Sequence, residues 1–133
     1  MEAKANIPEI KTSIHAKSET SLSLIEKSLS ETKNYLNCQS GLNWEFGFYQ
    51  CANRIAHLYF LRRICKINAF LVFIYFLNDH TRLSTSREEW DGAITLQKQL
   101  MGLNRHKLQR YVVDVFIDVN QLKGVNRLLS GRE

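Results

Sequence analysis

The sequence predicts an α/β fold, in which strands are joined through helices. Two short runs, residues 69–77 and 111–119, are rich in β-branched and aromatic residues, as strands are. Before and between them, apolar residues recur at the three- and four-residue spacing of amphipathic helices. Strands that alternate with helices favour a sandwich of helices on a sheet. The length of 133 residues accommodates a single domain.

Two helices are predicted before the first long strand. The first begins at Ser18 or Thr20, either of which can act as N-cap, and its apolar stripe ends at Leu36. The second covers residues 43–65 and is apolar on more than one side, so we expect it to be packed on two sides. It also carries a polar strip at helical spacing, which either faces solvent or lines a site: Gln50, Asn53, Arg54 and His57.

The C-terminal half carries clearer local signals. Residues 69–77 show no alternation of apolar and polar residues, which indicates a strand covered on both faces. Ser86 and Glu89 have the spacing of a capping box, which predicts a helix over residues 87–101. Residues 111–119 form a strand with one apolar and one half-polar face, and we interpret its Asp114 and Asp118 as solvated or structural. For residues 120–133 the sequence predicts at most a short helix.

The composition excludes several classes of protein. Apolar residues make up 44% of the chain, charged residues 23%, and there is one proline, so the chain is neither collagen-like nor disordered. The longest uninterrupted apolar run, residues 69–77, is much shorter than the roughly 20 residues that a transmembrane helix needs. The first ten residues lack the apolar segment of a secretory signal, so we expect a cytoplasmic protein without a membrane partner.

Cysteines and histidines form no recognisable metal motif in the sequence. Cys38, Cys51 and Cys65 have no paired spacing and are expected to be reduced, buried small residues. The four histidines are scattered, without the spacing that zinc sites use.

Basic residues give a net charge of +5 and form two clusters. One contains Arg62, Arg63 and Lys66, and the other contains Arg105, His106, Lys107 and Arg110. Each cluster lies near the end of a predicted element, where basic side chains also stabilise helix carbonyl groups. A solvated helix end and a phosphate contact therefore both remain open, and the charge is compatible with a DNA or RNA partner.

A Glu-x-Lys pattern, Glu2-Ala3-Lys4, opens the sequence. On a strand, residues two apart point to the same face, so Glu2 and Lys4 would act together. The pattern is short and occurs by chance in many proteins. Five stretches add context to it, and with them nearly the whole chain resembles the C-terminal part of the PD-(D/E)XK nuclease superfamily, which has the restriction-endonuclease-like fold. The stretches are residues 2–9, 48–62, 67–79, 85–94 and 111–119.

The resemblance implies a partial restriction-endonuclease-like sandwich with a mixed sheet flanked by helices. It also implies a nuclease that cleaves phosphodiester bonds with Mg²⁺, in which Glu2 binds the metal and Lys4 is the catalytic lysine. Gln50 would orient the catalytic strand or contact nucleic acid, and Asn53 and Arg54 would contact nucleic acid. The superfamily's first acidic residue and the strands before it would precede Met1. Residues 1–133 are therefore expected to be a single truncated domain that is inactive in isolation.

Two other functions remain open. A sheet of two long strands cannot bury both of its faces well by itself. A non-enzymatic α/β interaction module would solve this by forming a homodimer, or by pairing an exposed sheet edge with a partner chain that supplies strands. A basic domain that binds nucleic acid without cleaving it would account for the positive charge.

Overall fold

The structure, a computed structural model, describes residues 1–38 and 42–122. Its strands are β1 (Glu2–Lys4), β2 (Leu71–Leu77) and β3 (Val112–Asp118). Its helices are α1 (Glu19–Leu36), α2 (Tyr49–Tyr59) and α3 (Arg87–Leu100). Short 3-10 turns occupy Ile7–Ile10 and Gln109–Tyr111, and a π-helical turn at Phe60–Ile64 continues α2. The predicted tail helix lies outside the described residues, except that residues 119–122 begin a helical turn.

The three described strands form one parallel sheet in the order β1-β2-β3. The prediction of an α/β fold is confirmed, whereas the expected mixed sheet is not found, because each described strand pairs in parallel with its neighbour. In the register, Glu2 lies beside Phe73, and Phe73 lies beside Asp114. Residues aligned in this way point to the same face of the sheet. Glu2, Lys4 and Asp114 therefore share one face.

Helices α2 and α3 both pack on the face of the sheet that bears Lys4. On this face Leu71, Phe73 and Tyr75 are buried, and the Tyr75 ring lies 4.8 Å from the ring of Trp90 in α3. Within the described residues, no helix covers the second face of β2, so the prediction that residues 69–77 are covered on both faces is not borne out there. The alternate residues of β2, which are Val72, Ile74 and Phe76, are only partly buried. Successive parallel crossovers of one hand place their helices on one side of a sheet, which accounts for the difference.

Local signals fixed two of the three helices. Ser18 caps α1 by accepting a hydrogen bond from the Ser21 amide. Ser86 and Glu89 form the predicted capping box at the start of α3. In contrast, α2 begins at Tyr49, six residues later than predicted from residue 43. Residues 43–48 form a connection instead of a helix. Trp44 in this connection is buried, and its indole Nε1 donates a 3.1 Å hydrogen bond to the Met101 carbonyl.

The two tryptophans anchor opposite parts of the core. Trp44 ties the segment before α2 to the end of α3, as described above. Trp90 is fully buried in α3, and its Nε1 donates a 2.9 Å hydrogen bond to the Phe76 carbonyl of β2. A buried indole that makes such a bond contributes both apolar burial and a satisfied donor.

Within the described ranges, no helix combines the length and apolarity needed to cross a bilayer.

We predict that Trp90→Phe lowers the free energy of unfolding by roughly 1–3 kcal/mol, since it removes the hydrogen bond that the partly buried Phe76 carbonyl accepts from the indole. Urea denaturation followed by circular dichroism measures the change. Leu24→Ala is the matched control, because Leu24 is 65% exposed on α1 and should change stability by less than about 0.5 kcal/mol. Equal losses in the two variants would contradict the anchoring role of Trp90.

Candidate functional site

Glu2 and Lys4 point from β1 towards α2 and are largely buried. The side chain of Lys4 is 8% exposed and that of Glu2 is 11% exposed. The alternation of a strand explains their shared direction, as predicted. A buried ammonium and a buried carboxylate both need partners, because burial removes the water that solvates their charges.

Two residues of α2 supply those partners. Lys4 Nζ donates to Gln50 Oε1 over 2.5 Å and to Glu2 Oε1 over 3.4 Å. Arg54 Nε donates to Glu2 Oε2 over 2.8 Å. Gln50 and Arg54 are four residues apart, so one face of α2 presents both side chains to β1. We call Glu2, Lys4, Gln50 and Arg54 the Glu-Lys cluster. Since Gln50 meets Lys4 and Arg54 meets Glu2, α2 runs antiparallel to β1.

The loop after β1 fixes the start of α2 and therefore the position of Gln50. The Gln50 amide donates to Thr12 Oγ1 over 2.9 Å, and the Tyr49 amide donates to the Thr12 carbonyl over 3.2 Å. The same loop and Gln50 line an open pocket of about 640 Å³. Gln50 is itself exposed, so this pocket gives solvent access to one edge of the Glu-Lys cluster.

The charges of the cluster favour an ionised Glu2. Burial acts to raise the pKa of its carboxyl, but the hydrogen bond from Arg54 and the charges of Lys4 and Arg54 outweigh burial. The pKa of Glu2 is therefore lowered from its ordinary value of 4.5. Two cations surround this one carboxylate, so the cluster keeps an excess of positive charge that can attract an anion.

A second polar group lies on the same face of the sheet and was not recognised in the sequence. Lys98 of α3 forms a 2.5 Å ion pair with Asp114 of β3, and Asp114 Oδ1 is buried without a hydrogen-bond partner among the described residues. Burial and the charge of Asp114 raise the pKa of the Tyr75 hydroxyl and raise the pKa of Cys51 to about 12. Both groups therefore stay protonated at neutral pH. The parallel register aligns Asp114 with Glu2 through Phe73. Only this alignment indicates that Asp114 lies on the same face as the Glu-Lys cluster.

The remaining predicted residues lie outside the cluster. Asn53 is exposed and makes no side-chain hydrogen bond with the part of the chain that the structure describes, so it is not a member of the Glu-Lys cluster. His57 is also exposed. Cys65 is exposed, contrary to the expectation that all three cysteines are buried, because it follows the π-helical turn at the surface.

The residues of the cluster do not fit Mg²⁺ as they are placed. This ion prefers an octahedron of oxygen ligands and needs one or two carboxylates free to bind it. Both oxygens of Glu2 are engaged by cations, and Asp114 is paired with Lys98. Among residues 1–38 and 42–122, no three potential ligands from His, Cys, Asp and Glu come together. The expected role of Glu2 as a metal ligand has no support from this geometry.

Three comparisons with known proteins returned no match. No protein-family model, curated protein or solved structure matches the chain.

The lowered pKa of Glu2 predicts a pH dependence of stability. A carboxyl whose pKa is depressed by folding stabilises the protein above its unfolded pKa, near 4.5, and this contribution is lost as the pH falls through the folded pKa. We expect Glu2→Gln to reduce stability at pH 7 and to flatten the decrease in stability below about pH 4.5. Urea titrations across the acid range measure both effects.

Glu26→Gln is the control for this experiment, because Glu26 is an exposed carboxylate on α1. It should keep the parental pH profile. If Glu2→Gln also keeps the parental profile, Glu2 is not held ionised by its two cations.

Proposed function

We propose that this chain is the C-terminal part, or a remnant, of a PD-(D/E)XK-like nuclease domain, and that it does not hydrolyse phosphodiester bonds by itself. The observation that supports the proposal is the contact between the Glu2-x-Lys4 strand and Gln50 on α2, the second helix after that strand. A helical connection then leads to the adjacent parallel strand β2. The resemblance implied this combination of residues, helix and strand.

The chemistry available to the cluster is electrostatic. The Lys4 ammonium can offset the negative charge of a phosphate, and Gln50 holds that ammonium in place. Arg54 neutralises Glu2 and adds a second cation. In the superfamily Mg²⁺ would supply the activated water, but the described residues do not provide its ligands. We therefore assign the cluster a role in phosphate contact and strand orientation, without a cleavage step.

The reading frame upstream of the Met1 codon tests the proposal. The 133-residue chain should leave labelled single-stranded and duplex oligonucleotides intact in millimolar Mg²⁺. A longer chain, whose upstream frame adds a strand bearing an Asp, should cleave them. In that chain Lys4→Ala should slow cleavage by roughly 100-fold, because it removes a charge that stabilises the transition state.

Lys27→Ala is the control, since Lys27 is exposed on α1 and should leave the cleavage rate unchanged. Circular dichroism checks that each variant is folded. Parental activity in Lys4→Ala would overturn the catalytic assignment. A stop codon or an unrelated sequence directly upstream would overturn the assignment of this chain to the C-terminal part of a longer, active nuclease.

The face of the sheet that no described helix covers supports a second candidate, a non-enzymatic module that forms a homodimer. Seven residues on this face are apolar, and all seven are partly buried or exposed. An apolar face without charges is self-complementary, so two copies can stack their sheets across a two-fold axis. The residues are Ala3, Val72, Ile74, Phe76, Val113, Val115 and Ile117.

The homodimer candidate predicts that the parental chain sediments as a dimer at micromolar concentration and that Val113→Lys shifts it to a monomer. Val113 is 43% exposed, so a lysine there can reach solvent in the monomer but would bury its charge in a dimer. Analytical ultracentrifugation gives the mass. Leu24→Lys, on exposed α1, should stay dimeric. A parental chain that is monomeric at high concentration would remove this candidate.

A further inference from the structure

The two basic clusters of the sequence meet in space. Arg62 and Arg63, in the π-helical turn after α2, lie beside Lys107 and Arg110, which precede β3. Together with the rings of Tyr35 and Tyr111 they line a pocket of about 200 Å³. We call these six residues the basic pocket. Arg63 and Lys107 are 44 positions apart in the sequence, so their convergence is a property of the fold.

The two rings hold the cations in place. The guanidinium of Arg62 lies 3.4 Å from the centre of the Tyr111 ring, and that of Arg110 lies 5.0 Å from it. On the other side, Lys107 lies 4.9 Å and Arg63 lies 5.7 Å from the centre of the Tyr35 ring. The negative faces of aromatic rings attract cations at these distances. The charges are thus arranged around a concave surface rather than spread over a flat one.

The charge of the pocket is not neutralised. None of its four cations forms an ion pair with a carboxylate in the part of the chain that the structure describes. Arg62 has a structural role as well, because its Nη1 donates to Asn68 Oδ1 over 3.0 Å and to the Ala69 carbonyl over 2.8 Å. Arg63, Lys107 and Arg110 are exposed. Like charges that converge in this way repel one another unless an anion joins them.

An exposed aromatic ring lies at the margin of the pocket. Phe70 is 60% exposed, and its ring meets Tyr111 edge-on at 5.8 Å between centroids. Arg62 also lies 5.8 Å from the Phe70 ring centre. Phe70 lines a neighbouring pocket of about 240 Å³ that includes Arg54 and His57. A cationic pocket next to an exposed ring matches what a single-stranded nucleic acid offers, which is a phosphate beside a base with a free stacking face.

We propose that the basic pocket binds a backbone phosphate of single-stranded nucleic acid, with an adjacent base stacked on Phe70. Guanidinium groups match phosphate oxygens in geometry and charge, and three of the four cations are arginines. A membrane surface of acidic lipids would also attract these cations, but it would meet a protruding patch more readily than a concave pocket. The proposal depends on the pocket and Phe70, and not on the chemistry of Glu2 and Lys4.

Fluorescence anisotropy with a labelled single-stranded oligonucleotide tests the proposal, and EDTA in the buffer excludes any cleavage. The double variant Arg63→Gln/Arg110→Gln should weaken binding by roughly 10-fold or more at low salt. The slope of log affinity against log salt concentration should be less steep in this variant than in the parental chain, by about 0.7 for each phosphate contact removed. Lys17→Gln/Lys27→Gln loses the same charge from exposed positions elsewhere and should keep the parental affinity within about 2-fold.

Phe70→Ala separates stacking from charge. It should weaken binding by roughly 10-fold while leaving the salt dependence unchanged, because no phosphate contact is lost. Arg62 is kept in all variants, since its hydrogen bonds to Asn68 and Ala69 support the fold. Circular dichroism confirms that each variant retains its structure.

Three results would overturn the proposal. The first is the absence of oligonucleotide binding by the parental chain at low salt. The second is an equal loss of affinity in the pocket variant and in the Lys17/Lys27 control. The third is binding to vesicles of anionic phospholipid that depends on Arg63 and Arg110 when oligonucleotide binding does not. Because cleavage is not measured, failure of the nuclease proposal would leave each of these results interpretable.

Discussion

The buried ammonium of Lys4 is the constraint on which the architecture of the candidate site depends. A cation with 8% of its side chain exposed has to replace water with protein oxygens, and Gln50 and Glu2 provide them. Strand β1 is three residues long and therefore contributes few backbone hydrogen bonds of its own. Its contacts through Glu2 to Arg54 and through Lys4 to Gln50 join it to α2. The strand and the start of the helix consequently stabilise each other.

The parallel order of the sheet produces both the covered and the uncovered surface. Helical structure follows β1 and β2 before the chain enters the next parallel strand. Helices α2 and α3 lie over the same face of the sheet. That face bears the Glu-Lys cluster and the Lys98–Asp114 pair, where the low exposure of the two carboxylates strengthens the ion pairs. The opposite face is left with apolar residues that the described helices do not cover. One topological choice therefore accounts for both the polar site and the apolar face.

Local chemistry and tertiary contacts explain which features could be predicted from the sequence. The cap of α3 needs only Ser86 and Glu89, three residues apart, so sequence spacing was sufficient. The start of α2 was misplaced because Trp44 continues the apolar spacing, while its position is determined by the Met101 carbonyl far along the chain. The pairing of Lys98 with Asp114 depends on how α3 crosses β3, which no short pattern encodes. Gln50 and Arg54 were predictable as neighbours because a single helix presents both.

Parallel pairing also explains why the positive charge divides between two ends of the sheet. Leu71 lies beside Val112, so the segments that precede β2 and β3 arrive next to each other and bring Arg62 to the Tyr111 ring. Helix α2 runs antiparallel to the strands. Gln50 and Arg62 are twelve positions apart, which corresponds to about 18 Å at the rise of an α-helix. The cluster at one end of α2 holds a carboxylate among its cations, whereas the pocket at the other end holds none. A polyanion would therefore be attracted more strongly to the pocket than to the cluster.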